Sequence, residues 1–496
     1  MPRVDRGDRG LAELLAGFAL VAVVLTVAGL TSGFVERAPI SFPIIFLGLG
    51  LLLGRLDILH LGPESALLET VATLTLALVL CLEAVRIGNI GTGGAGFVPI
   101  LSLGPGTVVI VAVIAVGSYL LLDIAVIEAL LLGTILASTD PVVLRDVVRE
   151  SRIPASVRQA LNIEAGTNDI VVLPTLLILI ALANDEASGA GGWALLIAKV
   201  LVLGPVIGFV IGAGAAWLMS QADRCYSVNE VYKSLYGIGI VLLAYASATA
   251  LGGDGFLAAF AAGLAVAVLN FDLCQCFLDY GETTSEMAML LSFILFGVVI
   301  YDLFAEVPMV ASLILAAVVI FIARPLAIGL VLRKAAVSNA ARAFIGWFGP
   351  RGLNSLLLAL LVVEAGVAGS ELLLGVVGVV VTVSVVVHGA SATPLSRRYG
   401  EAVMRETHEE ERDDAAGIFE GAASESIRIS ASQLSDILGE WDPPVVLDVR
   451  TRSQYEQDHR RIPGAVRVAP DEIDEWARER EHGSQVEGRR VVAYCT

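Results

Sequence analysis

The segment Asn162–Leu173, "NIEAGTNDIVVL", decides how this chain folds. It runs directly into "PTLLILIALA", so residues 156–183 form one apolar segment of helical length. An apolar segment of about 20 residues predicts a transmembrane helix. This one nevertheless carries Glu164, Asn168 and Asp169. Ionisable groups inside a membrane helix are costly and usually functional, so we predict a membrane protein whose chemistry lies within the bilayer.

The whole chain shares this apolar character. Of its 496 residues, 56% are hydrophobic, and the mean hydropathy is +0.79. The block 11–33 is too long for a signal peptide and lacks a cleavage site, so we interpret it as a retained helix. We predict an all-α polytopic membrane protein with about 13 transmembrane helices, at 11–33, 39–54, 65–85, 105–122, 124–144, 156–183, 192–219, 230–251, 254–270, 284–302, 307–332, 342–363 and 371–393.

The charges in the connections predict the orientation. Basic connections at 145–158, 224–233 and 333–342 alternate with connections that carry acids but no base, such as "NDEASGAGG" and "LGGDG". Basic connections favour the cytoplasmic side. We therefore expect a multi-pass protein of the cell membrane with a cytoplasmic C-terminus.

The overall composition excludes several classes of function. The net charge is −18, with 50 acidic residues, 29 Arg and only 3 Lys, which is typical of a protein adapted to high salt and argues against a nucleic-acid partner. Cys274 and Cys276 have no nearby His, so a zinc site is not expected. No G-x-x-x-x-G-K-[ST] motif is present, which disfavours ATP-driven pumping, and we expect no cofactor.

Glycine and proline interrupt apolar spans in both halves of the chain, at "LASTDPVVL", "FGPRGLNSL" and "VHGASATPL". Interrupted helices in both halves indicate a transporter with inverted repeats and a site near the bilayer midplane. In the first motif, Pro141 disfavours helix at Asp140 and frees the carbonyls of Ser138 and Thr139 for a cation. Asp140 and Asp169 are therefore candidates to share one cavity. Alternatively, Asp140 only caps the helix that begins at Pro141.

Two arginines also lie in or beside apolar spans. Arg324 occurs in "FIARPLAI" and Arg351 in "FGPRGLNS". A buried arginine needs a carboxylate partner, and Glu164 is the best candidate. Asp169 is then left to carry the chemistry. The alternative is a polar cluster that only stabilises helix packing.

Two further polar residues have less certain roles. Glu83, in "LVLCLEAVRI", is expected at a helix end near the cytoplasmic surface rather than as a ligand. His388, late in the last span, fits either a packing role or a structural and pH-modulating role at the cytoplasmic end.

A midplane carboxylate binds either a proton or a small hard cation, because both use the same oxygens. Competition for one site, combined with alternating access, gives exchange. We therefore predict that Na⁺ binds at Asp169 and Asp140 and exchanges for H⁺, with Li⁺ or K⁺ as alternative cations.

These residues resemble the monovalent cation/proton antiporter superfamily, in its NhaP-type sodium/proton exchanger branch, over about residues 10–395. The resemblance rests on "TDP" at Thr139–Pro141, "NIEAGTND" ending at Asp169, "ARP" at Ala323–Pro325 and "GPRG" at Gly349–Gly352. It implies 13 spans, a dimerisation domain, and a six-helix core in which two unwound helices cross. A homodimer in the lipid bilayer is therefore expected.

The resemblance also implies roles for single residues. Asp169 would carry the ion or the proton, and the site would be completed by Asp140, Thr139 and Asn168. Glu164 would pair with Arg351 and also with Arg324. The Asn-Asp pair implies electroneutral, one-for-one exchange. One departure from the family pattern Glu-Ser-x-x-Asn-Asp is Ala165, which removes a hydroxyl ligand.

Beyond an antiporter domain at 1–395, a charged linker at 396–426 leads to a domain at 427–496 that resembles a rhodanese. The resemblance is carried by "VVLDVRTRSQYEQDHRRIPGAVRV". Cys495 matches the catalytic cysteine, but a persulfide-forming cysteine needs a loop of N–H donors after it, and only Thr496 follows. We expect an incomplete α/β domain without sulfurtransferase activity. The rival hypothesis is a membrane-tethered sulfurtransferase or redox sensor; a tail that regulates the transporter is a third.

Overall fold

The computed structural model describes residues 22–30, 42–59, 61–89, 98–140, 155–269, 271–335, 337–405, 444–449, 461–468 and 491–494, with a few single positions between them. The chain divides into two compact units, Met1–Ala422 and Ala423–Thr496.

The described part of the first unit is helical. The helices are α1 (22–30), α2 (Phe42–Arg55), α3 (Ala66–Asn89), α4 (Val98–Leu122), α5 (Val126–Ile135), α6 (Ala155–Thr167), α7 (Asp169–Ala183), α8 (Gly189–Tyr226), α9 (Glu230–Ala250), α10 (Gly255–Leu269), α11 (Phe271–Leu303), α12 (Met309–Val331), α13 (Asn339–Trp347), α14 (Leu353–Glu364) and α15 (Ser370–Arg405).

These helices confirm the predicted all-α membrane fold. Among the described residues, eight helical segments are long and apolar enough to cross a membrane, and α2, α5, α10 and α14 are shorter apolar helices. Every predicted span contains at least one helix. The predicted segment 156–183 is continuous apart from a single turn residue, Asn168, between α6 and α7.

Two predicted spans are broken by irregular backbone. The span predicted at 124–144 stops being helical after Ile135, and residues 136–140 are turn or irregular chain. The span predicted at 342–363 consists of α13 and α14, separated by the irregular segment 348–352. All ten residues of the two breaks are buried. Irregular backbone within a membrane protein is tolerated where protein buries it, so the breaks mark a site.

Three long helices contain a wider π turn beside a proline. Proline has no N–H for the regular i→i−4 hydrogen bond, so the turn opens around it. The turns are Ser102–Gly106 in α4 with Pro105, Lys199–Leu203 in α8 before Pro205, and Val319–Ala323 in α12 before Pro325.

Helices α4 and α12 pack against each other in opposite directions. Met309–Val318 of α12 contacts Thr107–Leu122 of α4, whereas Arg324–Val331 contacts the earlier turn Ser102–Gly106. One of these helices lies in each half of the chain, and each carries a π turn. Their antiparallel pairing is the relation expected between inverted repeats.

Close glycine packing joins α8 to α10. Gly204, Gly208 and Gly212 recur every four residues, and a Cβ added at any of them would overlap backbone atoms of Asp254, Ala258 or Ala262, respectively. Small residues at this spacing allow two membrane helices to approach to backbone contact.

The second unit contains a three-stranded parallel sheet in its described part. Its strands are β1 (Val445–Asp448), β2 (Val466–Arg467) and β3 (Val491–Tyr494), in the order β2-β1-β3. A parallel sheet agrees with the α/β domain expected here, and β1 lies in "PPVVLDVR" and β3 in "RRVVAYCT". The stretch "SQYEQDHR" and the residue Cys495 lie outside the described residues.

Candidate functional site

The two helix breaks meet inside the first unit. The backbone N–H of Asp140 donates to the carbonyl of Pro350 at 2.9 Å, which joins the middle of one break to the other. The hydroxyl of Ser355 donates to the carbonyl of Ile135 at 3.1 Å, where α5 ends. The breaks therefore form the crossing of two unwound helices that the family resemblance implies.

Each break carries a charged side chain that binds the helix end at the other break. Arg351 Nη1 donates to the carbonyls of Ala137 at 3.1 Å and Ser138 at 3.0 Å, just beyond the C-terminus of α5. Asp140 Oδ2 accepts the N–H of Leu353, the first residue of α14, at 2.7 Å. A cation at a helix C-terminus and a carboxylate at an N-terminus complement the helix dipoles. Asp140 therefore caps α14. Of the helix predicted to follow Pro141, the structure describes Leu144 and Val147, and both are helical.

Glycine makes this crossing sterically feasible. A Cβ added to Gly352 would overlap the carboxylate of Asp140, and one added to Gly349 would overlap the side chain of Arg324. The motif "GPRG" therefore places Arg351 between two positions where no side chain fits.

The carboxylate of Asp169 lies at this crossing and is only 2% exposed. Its Oδ1 accepts the hydroxyl of Ser138 at 2.8 Å, and its Oδ2 accepts the side-chain amide of Asn354 at 2.8 Å. Both donors are neutral. In the part of the chain that the structure describes, no basic side chain forms a salt bridge with Asp169.

Asn168 connects Asp169 to the first break. Its Nδ2 donates to the carbonyl of Ala137 at 2.9 Å and to Thr139 Oγ1 at 3.2 Å. Its Oδ1 is buried and has no hydrogen-bond partner among the described residues. The structure thus brings together the four residues predicted for the site, Thr139, Asp140, Asn168 and Asp169.

Glu164 forms a bidentate ion pair with Arg324. Arg324 Nη1 lies 2.5 Å from Glu164 Oε1, and Nη2 lies 3.1 Å from Oε2. Arg324 Nε also donates to the carbonyl of Ile345 at 3.2 Å. The structure pairs Glu164 with Arg324 rather than with Arg351, the partner that the resemblance put first. The reason is geometric, because Arg351 lies on a break and its guanidinium reaches the carbonyls of the other break.

Glu83 is a further buried acid, and its expected place at a helix end is wrong. It is 2% exposed, and α3 continues for six residues beyond it. Both carboxylate oxygens are buried without a hydrogen-bond partner in the described structure. Its helix α3 contacts α6 and α14, the helices that carry Glu164 and Asn354. A carboxylate so placed belongs to the candidate site.

Sequence reasoning also missed Asn354 and the side-chain role of Ser138. Both occur in motifs that were singled out as helix breaks, and a polar residue directly beside a break is the signal that could have found them. Among the described residues, no group of three or more His, Cys, Asp or Glu side chains is arranged to hold a metal ion. A cation bound here would need amide, hydroxyl or carbonyl oxygens in addition to carboxylates.

A helical membrane protein with two broken helices that cross beside a buried carboxylate has the architecture of a secondary transporter. Residues 15–398 match the family described as sodium/hydrogen exchanger, transmembrane, and the chain belongs to this family. It is a monovalent cation/proton antiporter of the NhaP type. It is therefore a transporter, which contradicts the hypothesis of an enzyme held by a membrane anchor. Residues 430–496 match the rhodanese-like domain family.

Individual relatives agree with this assignment. The K(+)/H(+) antiporter NhaP2 of Shewanella oneidensis is 30% identical over 407 residues, which is 78% of this chain and 67% of the relative. The K(+)/H(+) antiporter NhaP of Alkalimonas amylolytica is 30% identical over 295 residues, 59% of this chain and 50% of that protein. The structure of the sodium proton antiporter MjNhaP1 from Methanocaldococcus jannaschii at pH 8 superposes with a TM-score of 0.63 at 21% identity, covering 78% of this chain and 99% of that one.

Proposed function

We propose that this antiporter exchanges Na⁺ for H⁺ one for one, and that the carboxylate of Asp169 carries either ion. The observation that supports this is the environment of Asp169, a buried carboxylate that is held, among the described residues, by the neutral donors Ser138 and Asn354. An ionised carboxylate without a bonded counter-charge is costly to bury, and either a proton or a cation relieves that cost. Both use the same oxygens, so they compete.

The cation would be held by oxygens that lack a partner in the described structure. These are Asn168 Oδ1 and the two carboxylate oxygens of Glu83. Together with Asp169 and the hydroxyl of Thr139, they offer the oxygen ligands that a hard cation prefers. Asp140 would complete the acidic cluster while its Oδ2 caps α14.

K⁺ is the second candidate for the transported cation. It is favoured by two relatives, both named K(+)/H(+) antiporters. One-for-one exchange applies to either cation.

The arrangement in the membrane is also part of the proposal. We propose a homodimer, which is supported by the apolar surface that α8 leaves exposed on the subunit, including Phe209, Val210 and Trp217. The basic connections support a cytoplasmic C-terminus. The antiporter domain at 1–395, the linker at 396–426 and the rhodanese-like domain at 427–496 remain our proposed boundaries.

The test is proton movement in liposomes after addition of Na⁺ or K⁺, at two pH values, for the full chain and for Asp169→Asn. We expect the wild type to dissipate a proton gradient and the Asn variant to be silent. The cation that acts at the lower concentration identifies the substrate. Asp302→Asn, an exposed aspartate at the end of α11, is the matched control and should behave as wild type. Exchange by Asp169→Asn at the wild-type rate would refute the assignment.

A further inference from the structure

The break between α13 and α14 lacks a hydrogen bond that a continuous helix would have. In an α-helix, the N–H of Arg351 would donate to the carbonyl of Trp347, four residues earlier. Here both groups bond to α15 instead. The N–H of Arg351 donates to Ser384 Oγ at 2.7 Å, and His388 Nε2 lies 3.1 Å from the Trp347 carbonyl.

Ser384 and His388 join these two ends into one relay. They are one helical turn apart on α15, both are buried, and Ser384 Oγ lies 3.1 Å from His388 Nδ1. The Trp347 carbonyl can only accept, so Nε2 carries a proton and the neutral ring accepts at Nδ1 from the Ser384 hydroxyl. A charged ring, which would instead use the 3.0 Å contact between Nδ1 and Ser384 O, would be a buried cation without a salt bridge among the described residues.

The relay therefore occupies the place of the missing helical hydrogen bond. It runs from the Arg351 N–H through the Ser384 hydroxyl and the His388 ring to the Trp347 carbonyl. The two ends are not equally dependent on it, because the Trp347 carbonyl also accepts the N–H of Gly349 at 3.0 Å. For the N–H of Arg351, Ser384 is the bonded acceptor that the structure shows.

We propose that Ser384 and His388 are positioning residues for cation exchange. By holding the break open, they set the place from which Arg351 reaches the carbonyls of Ala137 and Ser138. Ser138 in turn donates its hydroxyl to Asp169. Loss of the relay would shift Arg351 and Ser138 and thereby weaken cation binding at Asp169. This inference rests on the proposed role of Asp169 and extends it to α15.

The test measures initial rates of exchange against cation concentration for the full chain in liposomes. Ser384→Ala removes the acceptor of the Arg351 N–H. His388→Gln keeps a donor at the position of Nε2 but loses the acceptor for the Ser384 hydroxyl. His388→Asn keeps a polar group near the position of Nδ1 but loses the hydrogen bond to the Trp347 carbonyl. Ser391→Ala is the matched control, because Ser391 lies on the same helix and accepts the indole N–H of Trp347 without bonding to the backbone of the break.

We expect Ser384→Ala to raise the apparent KM for the cation about tenfold, the effect of one lost buried hydrogen bond, with a smaller change in maximal rate. His388→Gln should raise the apparent KM similarly. His388→Asn should have a KM closer to that of wild type, because the hydrogen bond between the Arg351 N–H and Ser384 is kept. Ser391→Ala should keep the wild-type KM. Thermal unfolding in detergent separates these effects from loss of folding.

Three results would overturn the proposal: a wild-type KM in Ser384→Ala, an equal rise in Ser391→Ala, or a fall in maximal rate alone. If Ser384→Ala does not fold, the two His388 variants test the proposal by themselves. His388→Gln should have the higher apparent KM, and a higher KM in His388→Asn would refute the relay. Asp169→Asn is measured alongside. If that variant exchanges like wild type, Asp169 is not the carrier. The apparent KM values of the Ser384 and His388 variants can still be compared, because exchange is still measurable.

Discussion

Glu164 and Asp169 lie five residues apart on the same apolar segment, yet their surroundings differ in one decisive respect. Both are almost completely buried, at 4% and 2% exposure. Glu164 is bonded through both oxygens to Arg324, whereas Asp169 is bonded to the neutral groups of Ser138 and Asn354. Burial alone therefore does not distinguish the two acids. Under the proposed function, the charge of the bonded partner separates the structural acid Glu164 from the exchanging acid Asp169.

The same distinction orders the rest of the site. Asp140 and Arg351 each compensate the dipole of a helix end, so their charges stabilise the crossing. Glu83 has no hydrogen-bond partner in the described structure and, like Asp169, no salt bridge there. We expect acids bonded to a charge or a helix end to contribute to stability, and acids without such a partner to contribute to transport.

The largest effect is expected from Glu164→Gln. The substitution leaves Arg324 buried without its counter-charge, which should lower the free energy of unfolding by about 3–5 kcal/mol. Thermal or denaturant unfolding of the purified protein in detergent measures this loss.

Its control is the double variant Glu164→Gln/Arg324→Met. Removing both charges leaves no unpaired ion, so much of the lost stability should return. A stable Glu164→Gln protein that no longer exchanges ions would instead show that Glu164, not Asp169, is the exchanging acid.

Glu83→Gln should have the opposite signature. Removing a buried charge without a bonded partner should leave the unfolding temperature unchanged or raise it, since no ion pair is broken. Loss of one ligand should nevertheless raise the apparent KM for the cation about tenfold. Exchange kinetics and thermal unfolding are measured on the same preparation. Glu69→Gln, which changes an exposed acid on the same helix, is the control. If Glu83→Gln is less stable than the wild type, Glu83 has a structural role like that of Glu164.

A smaller effect is expected where a neutral donor is removed from Asp169. Asn354→Ala deletes the hydrogen bond to Oδ2 and should change the apparent KM about three- to tenfold without abolishing exchange, because Ser138 still holds Oδ1. Ser355→Ala is the control, since its hydroxyl bonds to the carbonyl of Ile135 and not to Asp169. Equal effects of both substitutions would show that they act by disturbing the helix crossing and not through the hydrogen bond to Asp169.

The smallest effect is expected from Ala165→Ser. Ala165 is 2% exposed and belongs to an apolar cluster with Leu161, Phe344 and Phe348. A hydroxyl there should alter the ratio of the apparent KM values for Na⁺ and K⁺ by no more than about threefold, the low end of one hydrogen bond. A tenfold shift towards Na⁺ would show that the added hydroxyl binds the ion.

The sequence predicted the components of this site better than their contacts. Proline and glycine act locally, so the breaks at 136–140 and 348–352 were predictable from "STDP" and "GPRG" alone. The choice between Arg324 and Arg351 as partner of Glu164 depends on which guanidinium lies at the helix crossing. That is a property of the three-dimensional structure. Glu83 was misjudged because the predicted span ended at residue 85, whereas the helix continues to Asn89.

The glycine packing between α8 and α10 also constrains how this protein can evolve. Gly208 and Gly212 face the backbone of α10, but Gly214, two residues further on, has open space around it. Packing within the subunit therefore does not constrain Gly214, and only the proposed dimer contact or the lipid would limit which apolar residues it accepts. Gly208 and Gly212 can change only if α10 moves away at the same time, so the constraint from the fold of the subunit itself falls on one side of α8.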